Sequence, residues 1–313
     1  MKRFRPALSK PWQWSFVAAV AAWLLCIASV EGRGALDLIR AAFAFATFTS
    51  LVSFGQMLVI TSGPGQIDLS IPSVIVMSGT IAMVEMGGQD GRIALGLGLA
   101  LGASIATGLV NHALICLLRI PPIIATLASG LIGMSVATAV GRASKVPPPD
   151  LLAATVNAKL PGGFPLLGLF AVGTGILIAV LLARTTYGRG LSAVGQNERA
   201  ARLSGVNVQG IRMATYGISA FLAGLTGVLI ATFAGGNALD QGGEYLLQTV
   251  AVAVIGGTLV TGGRASVAGV IGASLFMFFL LAMLSTTGTN AGLRALLTGA
   301  IIIFVTVLTR RSD

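Results

Sequence analysis

Charge is the scarcest property of this chain: only 10% of its 313 residues are Asp, Glu, Lys or Arg, against about 25% in a soluble domain. A surface with so few charges cannot face water over most of its area, so a polytopic membrane protein is implied and a soluble globular fold excluded. Histidine occurs once, at His112, which rules out a histidine-rich metal cluster or an HExxH centre. Cysteine occurs twice, at Cys26 and Cys116. Both sit in apolar runs without redox or metal spacing, so no disulfide is expected. Neither a GxxxxGK[ST] phosphate loop nor a GxSxG elbow is present, so these routes to nucleotide hydrolysis and acyl transfer are closed. The net charge of +10 lies in loops and ends without interleaved aromatics, which argues against nucleic acid as a partner. No cofactor is expected on the chain itself.

What is abundant is apolar surface and glycine. Hydrophobic residues make up 55% of the chain, with 42 glycines and a mean hydropathy of +0.91. Small residues let membrane helices approach closely where no hydrophobic drive exists between them. Gly98, Gly102 and Ala106 form one such ridge and Ala220 with Gly224 another, each weighed against chance in a glycine-rich chain. Ten apolar segments can be marked, at 12–30, 41–61, 71–87, 93–118, 121–140, 163–184, 212–234, 246–261, 266–286 and 292–309. The fold class is therefore all-α, with about ten transmembrane helices, some broken or short. Pro121 and Pro122 open the fifth, where a missing N–H costs least. The basic start (Lys2, Arg3, Arg5, Lys10) before the first run resembles a signal peptide, but no convincing small-x-small cleavage site precedes Glu31 and the segment before Cys26 is not a lipobox, so a retained helix is expected.

Lys and Arg resist translocation and set orientation. Ten crossings put Lys2, Arg3, Arg5, Lys10, Arg119, Arg184, Arg189, Arg199, Arg202, Arg212, Arg264, Arg310 and Arg311 on one side, 13 of the 20. Seven of the ten acids fall on the other. Both termini are expected in the cytoplasm, in a bacterial inner membrane, and one membrane domain covers 1–313. The stretch 141–162, rich in proline, becomes the longest external loop, an ordered or semi-rigid cap.

The run from Thr186 to Arg212 is a polar, basic island in this apolar chain, so the inner loop at about 185–212 invites a soluble partner. Asn197 can cap a short helix there, Glu198 and Arg202 are spaced for an i,i+4 pair, and Gly205 can take the left-handed conformation that ends it. Ala200, Ala201 and Leu203 offer a small apolar face. A helix this short needs a surface to lie on; the alternative is a merely solvated loop. Asp68 is the only acid at membrane depth. It sits in Gly63-Pro64-Gly65-Gln66-Ile67-Asp68-Leu69-Ser70, which suits a helix break, with Asp68 either capping the next segment or touching substrate. His112, beside Asn111, is expected to make a helix–helix hydrogen bond rather than relay protons. Ser70, Thr126, Gln248 and Thr258 join Asp68 as polar pathway candidates, chosen by depth and polarity.

From about residue 45 onward the chain resembles the permease subunits of bacterial ABC importers for ribose, xylose and related monosaccharides, within the wider group that includes branched-chain amino acid permeases. The motifs are Gln66–Ser70, Arg119–Leu127, Thr186–Arg189, Ala193–Val206, and Val252–Thr258 with Gly262-Gly263-Arg264. The resemblance implies a second permease chain (a homodimer, or a heterodimer with a different chain), a cytoplasmic ABC ATPase that binds the ATP, and a periplasmic solute-binding protein. It also implies that Gly195, Asn197, Glu198, Ala200, Ala201, Arg202 and Gly205 belong to a coupling helix against that ATPase. Where the family pattern has Gly-Gly before Ile-Asp-Leu-Ser, this chain has Gly65-Gln66, and Ile71-Pro72-Ser73 follows, so the break can be shaped differently. An ion-coupled transporter acting through Asp68, a nucleoside or branched-chain amino acid permease, and a membrane scaffold stand as alternatives.

Overall fold

The computed structural model describes residues 11–29, 34–141, 145–286, 292–293, 296–297 and 299–300. In chain order its helices are α1 (Pro11–Ser29), α2 (Ala35–Thr61), α3 (Ile71–Met86), α4 (Ile93–Cys116), α5 (Pro122–Val140), α6 (Asp150–Val156), α7 (Leu166–Arg184), α8 (Thr186–Gln196), α9 (Glu198–Leu203), α10 (Val208–Phe233), α11 (Tyr245–Ile255) and α12 (Val267–Thr286). A 3-10 turn, Asp90–Arg92, leads into α4. Among the described residues there is no strand, only an isolated bridge between Lys159 and Pro165.

Among the described residues the expected count of about ten crossings is not confirmed. Six helices are long and apolar enough to span a bilayer, and α1, α3 and α11 are apolar but shorter. The segment expected at 292–309 lies largely outside the described residues. α3 starts only at Ile71 because the chain is broken before it, and at 16 residues it extends about 24 Å, short of the ~30 Å hydrocarbon core. α11 stops at Ile255 because Gly257 adopts φ 90°. Its N–H and that of Thr258 close back on the carbonyls of Val254 and Ala253, a Schellman ending.

α2 is the axis of the bundle, 89% buried along its apolar window, while α4, α5 and α7 bury only 22%, 33% and 28% of theirs. Those three expose Leu99, Leu131, Ile132, Ile176 and Leu177 outward, the faces that lipid covers. α10 packs against α2, α3 and α4 at once. The ridge expected at Gly98, Gly102 and Ala106 points outward. The buried face of α4 is instead Gly96, Ala100, Ser104, Gly108 and Asn111. There a Cβ on Gly108 would meet the Tyr216 carbonyl and Ala220 of α10. The second ridge is real: Ala220 is buried and Gly224 packs on Ser104.

The bundle has two poles. At one, Arg40 donates to the Gly162 carbonyl, Leu151 N–H to Asp90, and Val146 N–H to Asn237. The 145–165 stretch is thus an ordered cap, in line with the expectation, and only its short helix α6 was not anticipated. The other pole gathers the ends of α2 and α7, the helices α8 and α9, the start of α10 and the Gly262-Gly263 turn. Among the described residues it carries Arg119, Arg184, Arg189, Arg199, Arg202, Arg212 and Arg264 against one acid, Glu198.

Candidate functional site

At the basic pole the stretch expected as a loop is almost wholly helical. Thr185 caps α8, accepting from Gly188 N–H at 3.2 Å, and Leu191 and Val194 are buried. α8 was missed because Gly188, Gly190 and Gly195 dilute its propensity. Each is a close approach: a Cβ on Gly188 would strike Leu182, one on Gly190 would press Ile211, and one on Gly195 would collide with the Thr61 carbonyl and the Gly263 backbone. Gly263 N–H donates to that same Thr61 carbonyl at 2.9 Å. Gly195 is therefore the point where the end of α2, the end of α8 and the Gly262-Gly263 turn meet backbone to backbone.

α9 is held at both ends by its own sequence. Asn197 accepts from Ala200 N–H at 3.0 Å. At the other end Gly205 takes φ 83°, its N–H reaching the Arg202 carbonyl and that of Val206 the Ala201 carbonyl, a second Schellman motif. Of the apolar face expected for docking, Ala201 turns inward against Val194 and Val208, while Ala200 is exposed and Leu203 is 84% exposed. Gly195 is buried too. The outward residues are Arg199, Ala200, Arg202, Leu203 and Ser204.

Glu198 pairs with Arg202 at 3.0 Å, as the spacing indicates, and also with Arg212 of α10 at 2.7 Å. The second partner was missed, lying 14 residues away; no periodicity signals it. Partial burial alone would raise the Glu198 pKa, but the charge of Arg212 and hydrogen bonds from both arginines outweigh it and hold the carboxyl below its ordinary value.

Deeper in the bundle, the break between α2 and α3 is built around Asp68, which is 2% exposed. Its Oδ1 accepts from Ser70 N–H at 3.0 Å and Ser70 Oγ at 2.6 Å, and its Oδ2 from Ser219 Oγ at 3.2 Å. Asp68 thus closes a turn on Ser70, the residue before α3, and does not reach the N–H groups inside the helix. Ser70 Oγ accepts from Asn111 Nδ2 at 2.9 Å, and Asn111 Oδ1 accepts from Ser129 Oγ. Thr126 Oγ1 accepts from Leu69 N–H at 3.0 Å, and Gln66 Oε1 accepts from Tyr216 OH at 2.9 Å. Polar groups buried this deep demand partners, and three helices, α4, α5 and α10, supply them.

Of the five pathway candidates, Asp68, Ser70 and Thr126 come together, all buried. Gln248 and Thr258 do not join them. Gln248 lines a separate cavity of about 250 Å³ with Phe45, Tyr245 and Phe278. Thr258 is buried in the turn after α11, its hydroxyl without an acceptor. Beside the break a groove of about 550 Å³ runs between α3 and α5, lined by Leu69, Pro72, Ser73, Leu127, Leu131 and Asp240 among others. His112 makes no hydrogen bond between helices that the structure shows; its Nδ1 lies 3.5 Å from Cys116 Sγ, one turn along the same helix. Asn111 takes the interhelical role expected of it. Among the described residues no group of three His, Cys, Asp or Glu side chains could hold a metal ion.

The chain matches the family model described as branched-chain amino acid transport system / permease component over residues 38–306. It is 30% identical to the autoinducer 2 import system permease protein LsrD of Klebsiella pneumoniae, across 94% of this chain and 90% of that protein. It is 31% identical to the ribose import permease protein RbsC of Escherichia coli, across 83% and 81%. To the fructose import permease protein FruF of Bifidobacterium longum it is 29% identical, across 82% and 73%. No solved structure matches it.

Proposed function

We propose, for a chain that belongs to the branched-chain amino acid transport system / permease component family, that its cargo is a monosaccharide of the pentose or hexose class. The chain is the membrane permease subunit of an ABC importer. In our reading it crosses a bacterial inner membrane about ten times with both termini inside, and it works as two copies or beside a second, different permease. An ATPase seats on the basic pole and hydrolyses the ATP; a periplasmic binding protein delivers the sugar to the opposite pole.

The observation that carries this reading is α9. It is capped at both ends, exposes Arg199, Ala200, Arg202 and Leu203, and is anchored inward by Ala201 and Glu198. A helix so short is marginal alone, so one held this firmly suits the receipt of force. In that arrangement Gly195, Asn197, Ala201 and Gly205 set its shape, while Ala200 and Arg202 face the ATPase. Asp68, Ser70 and Thr126 shape the pathway beside the groove. Closure of the ATPase would then favour one access state over the other through its differential contacts with α9. The ion-coupled alternative depends on Asp68, and both its carboxylate oxygens are occupied by Ser70 and Ser219.

The test is reconstitution in proteoliposomes with ATPase and binding protein from the neighbouring coding regions. The probes are radiolabelled ribose, xylose and fructose. We expect ATP-dependent uptake of at least one, lost in Glu198→Lys along with ATPase association. Uptake by the chain alone on a proton or sodium gradient would overturn the reading.

A further inference from the structure

Three side chains on α10 fall on one face at i, i+4 and i+7: Arg212, Tyr216 and Ser219. Each holds a different stretch of chain. Arg212 Nη2 donates to Glu198 on α9 and lies 3.6 Å from where a Cβ of Gly63 would be. Tyr216 donates to Gln66, and Ser219 to Asp68. The stripe therefore runs from the coupling segment to the break between α2 and α3, meeting the break at 63, 66 and 68 in order.

The contacts beyond the break continue the connection. Asp68 holds Ser70, Ser70 accepts from Asn111, and Leu69 N–H is tied to Thr126. Leu69, Pro72 and Ser73 form one wall of the groove. Past Arg212 the contacts run through the interior: Tyr216, Ser219, Asp68, Ser70 and Asn111 are all buried, while Glu198 at the start is partly exposed. Arg212 is held through one arm, its Nε buried without an acceptor, which leaves the guanidinium a site for a second pairing if α9 shifts.

We infer that this face of α10 transmits displacement of α9 to residues 63–70 and so to the wall of the groove, with Tyr216 as the positioning residue at its centre. The inference rests on the proposed transport function only for its purpose. Non-additivity between substitutions at its two ends is the measure of this coupling.

The experiment is hydrogen–deuterium exchange on the purified full chain in lipid nanodiscs, read on the peptide spanning 64–72. The amides of Asp68, Leu69 and Ser70 all donate to side chains, so their exchange reports opening of the break. Glu198→Gln, remote in sequence, is expected to speed that exchange about fivefold, the low end for coupled sites. In a Tyr216→Phe background the same Glu198→Gln change is expected to add less than about twofold. Gln66→Leu removes the same hydrogen bond from the other partner and serves where Tyr216→Phe fails to fold. Unchanged exchange in Glu198→Gln, or an equal increase with and without the Tyr216–Gln66 bond, overturns the inference. Neither ATPase nor sugar is needed, so a negative result leaves the transport reading standing, and failed uptake leaves the exchange coupling intact.

Discussion

Arg212 reaches from the second turn of α10 to Glu198 at the head of α9, with Nη2 2.7 Å from Oε2. Because Glu198 is held below its ordinary carboxyl value, the pair's contribution is complete above the unfolded-state pKa near 4.5. It is lost as pH falls through the lower folded value. Protection of the 198–205 amides, corrected for intrinsic exchange, should be flat from neutral pH to that point and decline below it. Glu198→Gln should remove this acid-dependent decline and cost about 0.5–1 kcal/mol of local stability at neutral pH, since Glu198 itself is partly exposed and screened.

Gly195 and Gly205 bracket α9 for opposite reasons. Gly195 has no room for a methyl group, whereas Gly205 stands in open space but at φ 83°. Gly195→Ala must push apart three backbone segments, and overpacking of this kind costs roughly 1–3 kcal/mol or more. Gly205→Ala meets only the left-handed backbone penalty, about 1 kcal/mol. Thermal unfolding of the detergent-solubilised chain should therefore rank Gly195→Ala well below Gly205→Ala. Equal losses would contradict the packing described at the Thr61–Gly263 contact.

The adjacent residues Asn111 and His112 should separate sharply. Asn111→Ala removes two buried hydrogen bonds, to Ser70 and from Ser129, while those hydroxyls keep their bonds to Asp68 and the Thr126 carbonyl; at roughly 0.5–1.5 kcal/mol for each lost bond the cost is about 1–3 kcal/mol. His112→Ala loses a contact within its own helix and should change stability by no more than about 1 kcal/mol. The measurement is again thermal unfolding, with both variants in the same lipid.

Those two residues also mark how far the sequence could be read. Periodicity, caps and turn glycines lie in neighbouring residues, so the apolar helices, the Asn197 cap, the Gly205 ending and the break near Asp68 were legible. Which face of α4 turns inward was not, since alternating small residues put glycine on both faces and only the shape of α3 and α10 decides between them. The bonds from Asn111 to Ser70, Tyr216 to Gln66 and Arg212 to Glu198 join residues 41, 150 and 14 positions apart, and no local pattern encodes such distances. α8 was hidden because its glycines are required by close contact with distant backbone, at the expense of helix propensity.

The two glycine faces of α4 give the last expectation. Gly98 has nothing within 4 Å of its would-be Cβ, while Gly108 would meet the Tyr216 carbonyl and Ala220. Gly98→Ala should be neutral or stabilising by up to about 1 kcal/mol, because alanine is the better helix former and no neighbour is disturbed. Gly108→Ala should lose about 1–3 kcal/mol by forcing α4 away from α10, and that separation also lengthens the path from Asn111 to Ser70. Thermal unfolding of both variants checks the sign at each site. A loss at Gly98 matching that at Gly108 would mean that a second surface, such as another copy of the chain, covers the outer face of α4.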